Sequence, residues 1–286
     1  MIPASFAYVA PATVEDAVAA LASGGEDAKV LAGGQSLIPV LRLRLSYPET
    51  VVDLGKVAEL RGIRDDGDAI VIGAMTTHHE VLHDPLVAQY VPLVVQATET
   101  VADPQVRHRG TFGGSLSHAD PAGDLPSVAL ALDAEMVIAG PDGRRSVAAR
   151  DFFLDYLTTA IRPGEILVEI RLPKLGEGWG TCYEKFNRVA QAWSIVAVAA
   201  AVRRGNGSIA EARVGLTNMG STPLRATAVE EALAGQSATA ESLSSAASHA
   251  ADGTSPSDDV NARADYRAHL ATVLTRRALT KAAGLS

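Results

Sequence analysis

Cysteine is almost absent from this sequence, since Cys182 is the only one among 286 residues. One cysteine excludes an internal disulfide, a thiolate metal site and an iron–sulfur cluster held by this chain alone. Such sparse cysteine is typical of a reducing compartment.

Long apolar runs and blocks of basic residues are also missing. The longest apolar run, IVAVAAAV at 195–202, is shorter than the roughly 20 residues that a membrane-spanning helix needs. The N-terminus lacks the basic start and apolar core of a signal peptide. The net charge is −8, which disfavours sequence-independent nucleic-acid binding. We therefore expect a cytoplasmic protein without a transmembrane segment and without a nucleic-acid partner.

The order of predicted elements indicates two parts. Strands alternate with helices in the first half, where AKVLAGG is a predicted strand and SLIPVLRLRL a helix with Ser36 as N-cap. A further helix is predicted to begin near Pro126 and a strand near Glu135. After a joint at about residues 174–180, two strands follow, then a Gly-Asn-Gly hairpin and a run of helices. The second part is therefore predicted to be a small sheet covered by helices.

The segment LAGGQSLIPVL at residues 31–41 places Gly33 and Gly34 before a predicted helix. Glycine lets the backbone approach a ligand closely, and the N–H groups at a helix start favour an anion. The segment lacks the lysine of a P-loop and does not fit the pattern G-x-G-x-x-G. Taken alone, it is better explained as a turn capped by Ser36 than as a phosphate site.

A second glycine pair lies in TFGGS at residues 111–115, followed by DPAGDLP. Its flanking hydroxyl groups make this predicted loop suitable for an anion as well. Two such loops in an α/β setting suggest a dinucleotide held from two sides. Asp124 is a candidate acceptor for a ribose or ring N–H, and a helix-capping role explains it equally well.

Other polar residues have simple structural explanations. His78 and His79 are expected at an exposed helix start, and no third ligand at a suitable spacing indicates a metal site. Lys185 alternates with apolar neighbours on a predicted strand, which favours a solvent-facing side chain, and Trp193 is expected in the core. No serine lies in a G-x-S-x-G elbow and no general acid or base stands out, so no catalytic residue is assigned.

The two glycine motifs, AGGQSLIPVL and TFGGSLSHADPAGDLP, resemble at this separation the FAD-binding subunits of the molybdenum hydroxylases. The similarity extends over essentially the whole chain. Further matching segments are MIPASFAY, VVDL, VIGAMTT, ADPQVRHRGTFGG, GEILVEIRLP, YEKFNR, GLTNMGSTPLRA and YRAHLATVLTRRAL. The resemblance is nearest to the medium subunits of aerobic carbon monoxide dehydrogenases.

This resemblance implies an α+β fold. Residues 1–174 would form a two-lobed FAD-binding domain of the vanillyl-alcohol oxidase (PCMH) type, with lobes at about 1–55 and 56–174. Residues 175–286 would form the C-terminal domain of the carbon monoxide dehydrogenase flavoproteins. Members that carry an extra iron–sulfur cluster in this subunit need more cysteines, so that variant is excluded.

The resemblance also implies which residues hold FAD. The first segment would wrap the pyrophosphate and the second would form another clamp, while later positions match residues that contact FAD or stand near its ring. In order, these are Leu31, Ala32, Gly33, Gly34, Gln35, Ser36, Leu37, Ile38, Thr111, Phe112, Gly113, Gly114, Ser115, Asp124, Leu167, Lys185 and Trp193.

Three of these positions depart from the family pattern. The second motif more often reads T-I-G-G-N, whereas this chain has Phe112 and Ser115. Ser115 keeps a hydrogen-bonding group. Trp193 stands where the carbon monoxide enzymes have a tyrosine near the flavin ring, and its indole N–H can only donate.

The implied function is electron transfer without contact to the substrate. A large partner would hold the molybdenum cofactor and a small partner two [2Fe–2S] clusters, in a dimer of heterotrimers that associates with the inner face of the membrane. FAD would pass electrons to a quinone or oxygen, and the substrate of the complex would be carbon monoxide. The alternatives are a xanthine, N-heterocycle or aldehyde dehydrogenase complex, a stand-alone FAD oxidoreductase and a non-enzymatic nucleotide-binding module.

Overall fold

Three main β-sheets follow one another along the chain, and the computed structural model describes residues 2–285. The first sheet consists of β1 (Ala7–Val9), β2 (Ala28–Leu31) and β3 (Thr50–Asp53), with β3 in the middle and all pairs parallel. Its helices are α1 (Val14–Gly24) and α2 (Leu37–Arg42). Two 3₁₀ turns, Leu54–Lys56 and Ala58–Leu60, lead to the second sheet.

The second sheet is antiparallel and has five strands. They are β4 (Ile63–Asp66), β5 (Ala69–Gly73), β6 (Glu135–Gly140), β7 (Gly143–Ala148) and β10 (Ile166–Pro173), in the order β4-β5-β10-β6-β7. A small hairpin of β8 (Phe153–Asp155) and β9 (Thr158–Thr159) precedes β10.

Seven helices accompany the second sheet in the described residues 2–285. They are α3 (His78–His83), α4 (Pro85–Tyr90), α5 (Pro92–Glu99), α6 (Pro104–Arg107), α7 (Phe112–His118), α8 (Asp124–Ala131) and α9 (Ala149–Phe152). Helix α8 begins at Asp124, two residues before the predicted start near Pro126, whereas β6 begins at Glu135 as predicted. Pro126 occupies the first turn of α8, where a missing N–H disturbs no helical hydrogen bond.

The third sheet follows a short connection at residues 174–178. It contains β11 (Trp179–Phe186), β12 (Val196–Gly205), β13 (Ser208–Thr217) and β14 (Leu224–Arg225), in sequence order and antiparallel. Helices α10 (Thr227–Leu233), α11 (Ala240–Ala247) and α12 (Ala264–Ala282) follow it. The predicted Gly-Asn-Gly hairpin joins β12 to β13, with positive φ at Asn206 and Gly207.

Both faces of the second and third sheets are buried. Ala197, Ala199 and Ala201 of β12 belong to the core shared with α5, α7 and α8, while Val196 and Val198 pack with α10, α11 and α12. The opposite face of the second sheet packs on α1. The run IVAVAAAV is therefore continuously apolar because it lies between two layers of helices. Within residues 2–285, no helix is both long enough and apolar enough to cross a bilayer.

Candidate cofactor site

The two glycine motifs lie against each other in the folded chain. A Cβ atom built on Gly33 would stand 2.1 Å from the carbonyl oxygen of Arg109 and 2.8 Å from the Cα of Gly110. A Cβ atom on Gly114 would stand 3.5 Å from the Cβ of Ala32. Segments almost 80 residues apart in sequence therefore form one surface, because glycine allows the two backbones to touch.

The first segment leaves backbone donors without a protein partner. Within residues 2–285, the N–H groups of Gly33, Gly34, Gln35 and Ser36 donate no hydrogen bond. The amide side chain of Gln35 folds back onto the carbonyl of Gly33, at 3.1 Å. Gly33, Gly34 and Ser36 are half-buried, and N–H groups without acceptors in such positions are costly unless water or a ligand accepts from them. Because they belong to one short segment, a group with several acceptor oxygens suits them.

Ser36 is not the helix cap that the sequence suggests. It stands at the N-cap position of α2, but it has φ −100° and ψ −48° and its side chain makes no capping bond. A capping serine normally has an extended backbone, which directs its oxygen to the N2 or N3 amide. The simple explanation of LAGGQS as a capped turn therefore fails, and the Ser36 hydroxyl remains available for another partner.

The second segment is the start of a helix rather than a loop. Thr111 caps α7 by accepting from the N–H of Gly114 at 3.1 Å. The N–H groups of Phe112, Gly113 and Ser115 donate to the carbonyls of Thr76, Ala74 and Thr111, so within residues 2–285 the N–H of Thr111 is the one backbone donor of this segment without a partner. Its other free donors are the hydroxyls of Thr111 and Ser115, neither of which donates to an acceptor within residues 2–285.

Five of the expected contact residues are buried: Thr111, Phe112, Gly113, Asp124 and Leu167. Phe112 is fully buried in the core, and Leu167 of β10 lies in the same cluster. A Cβ atom on Gly113 would stand 2.5 Å from that of Ala74, which directly follows β5, so Gly113 lets α7 lie close to the end of that strand. By contrast, Leu31 and Leu37 are half-buried, and Ile38 is exposed.

Asp124 of α8 and Lys185 of β11 form a buried ion pair. Lys185 Nζ lies 2.8 Å from Asp124 Oδ2, and each side chain is only 5% exposed. Lys185 also donates to the carbonyl of Thr100, at 3.1 Å. The expectation of a solvent-facing Lys185 is wrong, because its strand is covered on both faces. Asp124 is the first residue of α8 and not its cap, which is Gly123.

Two further residues donate hydrogen bonds to Asp124, and the sequence analysis did not identify them. Tyr183 Oη and Ser194 Oγ each donate to Asp124 Oδ1 at 2.7 Å. Burial, followed by the adjacent Asp124 carboxylate, raises the pKa of Tyr183 well above its ordinary value, so its hydroxyl stays a donor. Tyr183 could have been found with Lys185, since alternate residues of a strand share a face. Ser194 carried no such signal.

Trp193 lies at the surface, not in the core, with 55% of its area exposed. Its ring centroid is 6.5 Å from that of His118, the last residue of α7. Trp193 lines a cleft of about 750 Å³ together with Asp120, Tyr156 and Arg188. The start of α7 thus lies at the glycine segments and its end lies near Trp193. These ends are about 10 Å apart, given the rise per helical residue.

The two adjacent histidines have different environments. His78 is buried, contrary to expectation, and burial together with the Arg107 charge lowers its pKa to about 4. The ring of His79 stands 3.9 Å from that of His108 and 4.3 Å from that of His83. In the part of the chain that the structure describes, residues 2–285, no group of His, Cys, Asp and Glu side chains is arranged to hold a metal ion.

The sequence of this chain matches two known protein families. The family described as the FAD binding domain in molybdopterin dehydrogenase matches residues 4–175. The CO dehydrogenase flavoprotein C-terminal domain matches residues 181–282. The chain belongs to this flavoprotein family. The expected α+β fold, with a FAD-binding domain followed by a smaller C-terminal domain, is confirmed.

The similarity of this flavoprotein to individual relatives extends over nearly the full length. It is 40% identical over 282 residues to the carbon monoxide dehydrogenase medium chain of Hydrogenophaga pseudoflava, covering 99% of this chain and 98% of that one. It is 37% identical to the alpha subunit of the 6-hydroxypseudooxynicotine dehydrogenase complex of Paenarthrobacter nicotinovorans, covering 99% and 96%.

A solved structure shows the same fold. The carbon monoxide dehydrogenase of Hydrogenophaga pseudoflava that lacks the Mo-pyranopterin moiety of its cofactor contains a chain that superimposes with a TM-score of 0.97. The two chains are 42% identical, and the match covers 100% of this flavoprotein and 99% of that chain. FAD is the cofactor of this family, and the free N–H groups of residues 33–36 fit its pyrophosphate.

Proposed function

We propose that this flavoprotein carries electrons from [2Fe–2S] clusters of a partner subunit to an external acceptor, a quinone or oxygen. FAD, when bound, supplies the two-electron redox centre for this transfer. The partners are a large subunit with the molybdenum cofactor and a small iron–sulfur subunit, in a dimer of heterotrimers. The observation that carries this proposal is the full-length agreement with a carbon monoxide dehydrogenase medium chain.

We further propose carbon monoxide as the substrate of the complex. The medium chain of a carbon monoxide dehydrogenase is 40% identical, against 37% for the 6-hydroxypseudooxynicotine dehydrogenase subunit. Substrate oxidation belongs to the large subunit in this proposal, so the flavoprotein needs no substrate-binding residue of its own. An N-heterocycle, xanthine or aldehyde complex would use the same flavoprotein architecture.

The first glycine segment binds the FAD pyrophosphate in this proposal. Backbone N–H groups of Gly33 to Ser36 donate to its oxygens, while Leu31, Ala32, Leu37 and Ile38 form the flanks. Helix α2 has only six residues, so the donors of the segment itself matter more than a helix dipole. The second segment contributes the hydroxyls of Thr111 and Ser115, and Gly114 keeps them close to Ala32.

The remaining contacts lie toward the third sheet. Asp124 and Lys185 neutralise each other, so they offer FAD a directed acceptor and donor without net charge. Trp193 covers the isoalloxazine ring, which its exposed position beside α7 permits. Phe112, Gly113 and Leu167 support the site from the core. We place the division between the domains after residue 174, which is supported by family matches ending at 175 and beginning at 181.

Titration of the purified full chain with FAD tests the cofactor assignment. We expect stoichiometric binding, a yellow protein and no oxidation of carbon monoxide by the chain alone. Co-expression with the large and small subunits should restore dye reduction that depends on carbon monoxide. A chain that never takes up FAD would refute the proposal, and dehydrogenase turnover by the isolated chain would favour a stand-alone oxidoreductase.

The substrate is tested separately with the assembled complex. We expect reduction of the dye with carbon monoxide and not with xanthine, nicotinate or an aldehyde. Turnover with one of those substrates, and none with carbon monoxide, would reassign the complex while leaving the electron-transfer role of the flavoprotein intact.

A further inference from the structure

The carboxylate of Asp124 is held by three side chains from the other side of the domain interface. Tyr183 and Lys185 lie on β11, and Ser194 lies just before β12. Two neutral hydroxyls share Oδ1, while the lysine occupies Oδ2. A carboxylate offers about four lone-pair positions, so one acceptor position at Oδ2 is left.

The neutral donors fix the orientation of this carboxylate. A single bond to Lys185 would let the carboxylate rotate about its side-chain torsion, because a lysine ammonium is a flexible donor. Two hydroxyls on the opposite oxygen remove that freedom. Burial makes their loss costly, since the freed acceptor would have no water to replace them.

Ser194 also connects this network to Trp193. Its N–H donates to the carbonyl of Ala122, at 3.4 Å, and its own carbonyl accepts from the side-chain amide of Asn218, at 2.8 Å. The backbone of Ser194, the residue after Trp193, is therefore held by hydrogen bonds through both its N–H and its carbonyl. One of the partners, Ala122, lies two residues before the start of α8. The orientation of Asp124 and the placement of Trp193 depend on the same serine.

We propose that Tyr183 and Ser194 are positioning residues for FAD: they hold the Asp124 carboxylate so that its free acceptor position meets the cofactor. This inference rests on the proposed FAD site. It assigns a binding role to two residues that need not touch the cofactor themselves.

FAD dissociation constants of the full chain test this proposal. Tyr183→Phe and Ser194→Ala should each raise Kd about tenfold, the effect of losing one hydrogen bond to a charged group. Asp124→Asn should also raise Kd, and adding Tyr183→Phe to it should have little further effect, because the residue acts through Asp124. The visible absorption band of bound FAD should shift in Tyr183→Phe and Asp124→Asn alike.

Ser127→Ala is the matched control. Ser127 is also buried, but its hydroxyl bonds to Thr217 and to the backbone carbonyl of Asp124, not to the carboxylate. We expect it to lower the melting temperature about as much as Ser194→Ala while leaving the FAD Kd unchanged. A Kd that rises in step with the loss of stability in all variants, Ser127→Ala included, would overturn the positioning role.

The outcomes separate this inference from the proposed function. A wild-type chain without FAD affinity would overturn the function itself. Normal FAD binding by the wild type, by Tyr183→Phe and by Ser194→Ala would overturn only the positioning role. Unchanged Kd in Asp124→Asn, or full additivity in the double variant, would overturn it as well.

Discussion

Two neighbouring residues, Gly33 and Gly34, must be glycine for different reasons. Gly33 has no room for a side chain, because a Cβ atom would lie 2.1 Å from the carbonyl oxygen of Arg109. Gly34 has φ +76°, a backbone conformation that side chains with a Cβ rarely adopt. One glycine is set by the neighbouring segment and the other by the path of its own backbone.

Gly34→Val should abolish FAD binding while the C-terminal domain stays folded. A β-branched residue at this positive φ forces the loop, and with it the free N–H groups, into another conformation. Titration with FAD and the thermal unfolding of the chain measure the two effects. Gly67→Val is the control, since Gly67 also has φ +76° but has open space around it. Stoichiometric FAD in Gly34→Val would contradict the assigned pyrophosphate site.

His78 makes the stability of the fold depend on pH. Its pKa is about 4 in the folded chain, lowered from 6.5 first by burial and then by Arg107. Between pH 6.5 and 4, His78 binds a proton in the unfolded chain but not in the folded chain. The free energy of unfolding therefore decreases as the pH is lowered through this range. The loss from this one group amounts to about 2 kcal/mol at pH 5.

His78→Asn should flatten this pH dependence. Urea unfolding at pH 7.5 and pH 5 gives the difference in the free energy of unfolding for each variant. The exposed His269→Asn should keep the wild-type difference. Equal pH dependence in His78→Asn and the wild type would show that His78 is not the responsible group.

At the scale of elements, α7 connects the parts of the candidate site. Its capping residue Thr111 faces the glycine contact, and its last residue His118 is near Trp193. The N–H groups of its first four residues, 112–115, donate to carbonyls of the segment that follows β5 and to Thr111. This helix therefore contributes hydroxyl groups and spacing to the site, whereas the first segment contributes backbone N–H groups.

Thr111→Ala should weaken both the helix and the FAD site. Losing an N-cap costs about 1 kcal/mol of stability, and the Gly114 N–H would lose its acceptor. Thr239→Ala is matched to it, because Thr239 caps α11 by accepting from the N–H of Ser242. Calorimetry should show destabilisation in both variants, larger in Thr111→Ala because Thr111 is buried whereas Thr239 is exposed, and only Thr111→Ala should raise the FAD Kd. An unchanged Kd in Thr111→Ala would show that Thr111 does not contribute to FAD binding.

At the scale of the whole molecule, α8 is pressed against the third sheet. A Cβ atom on Gly215 of β13 would lie 2.2 Å from the carbonyl oxygen of Ser127. Because α8 begins at Asp124, the fit of the two domains determines where that carboxylate stands.

Gly215→Ala should therefore reduce FAD affinity from a position outside the site. Pushing α8 away from β13 should cost about 2 kcal/mol and displace Asp124 from its three donors. FAD titration and urea unfolding measure both effects. Gly205→Ala, on the preceding strand, has its nearest neighbour 3.8 Å away and should change neither. Wild-type FAD affinity in Gly215→Ala would show that the site tolerates movement of α8.

Much of the architecture could be predicted from local sequence patterns. The hairpin at Asn206 and Gly207 and the beginning of β6 at Glu135 follow from turn residues and hydrophobic periodicity, which act over a few residues. The α+β fold was implied by the family resemblance. The two similar glycine motifs predict one shared ligand site. The close approach of Gly33 to Arg109, two residues before the second motif, agrees with this prediction.

The tertiary structure alone decided how the polar groups are used. Ser36 does not cap its helix, the amides of residues 112–115 are already bonded, and Lys185 is buried against Asp124. Tyr183 and Ser194 reach Asp124 across 59 and 70 residues. Hydrogen bonds and burial at such separations depend on the packing of sheets and helices, whereas a sequence pattern reports only what neighbouring residues prefer.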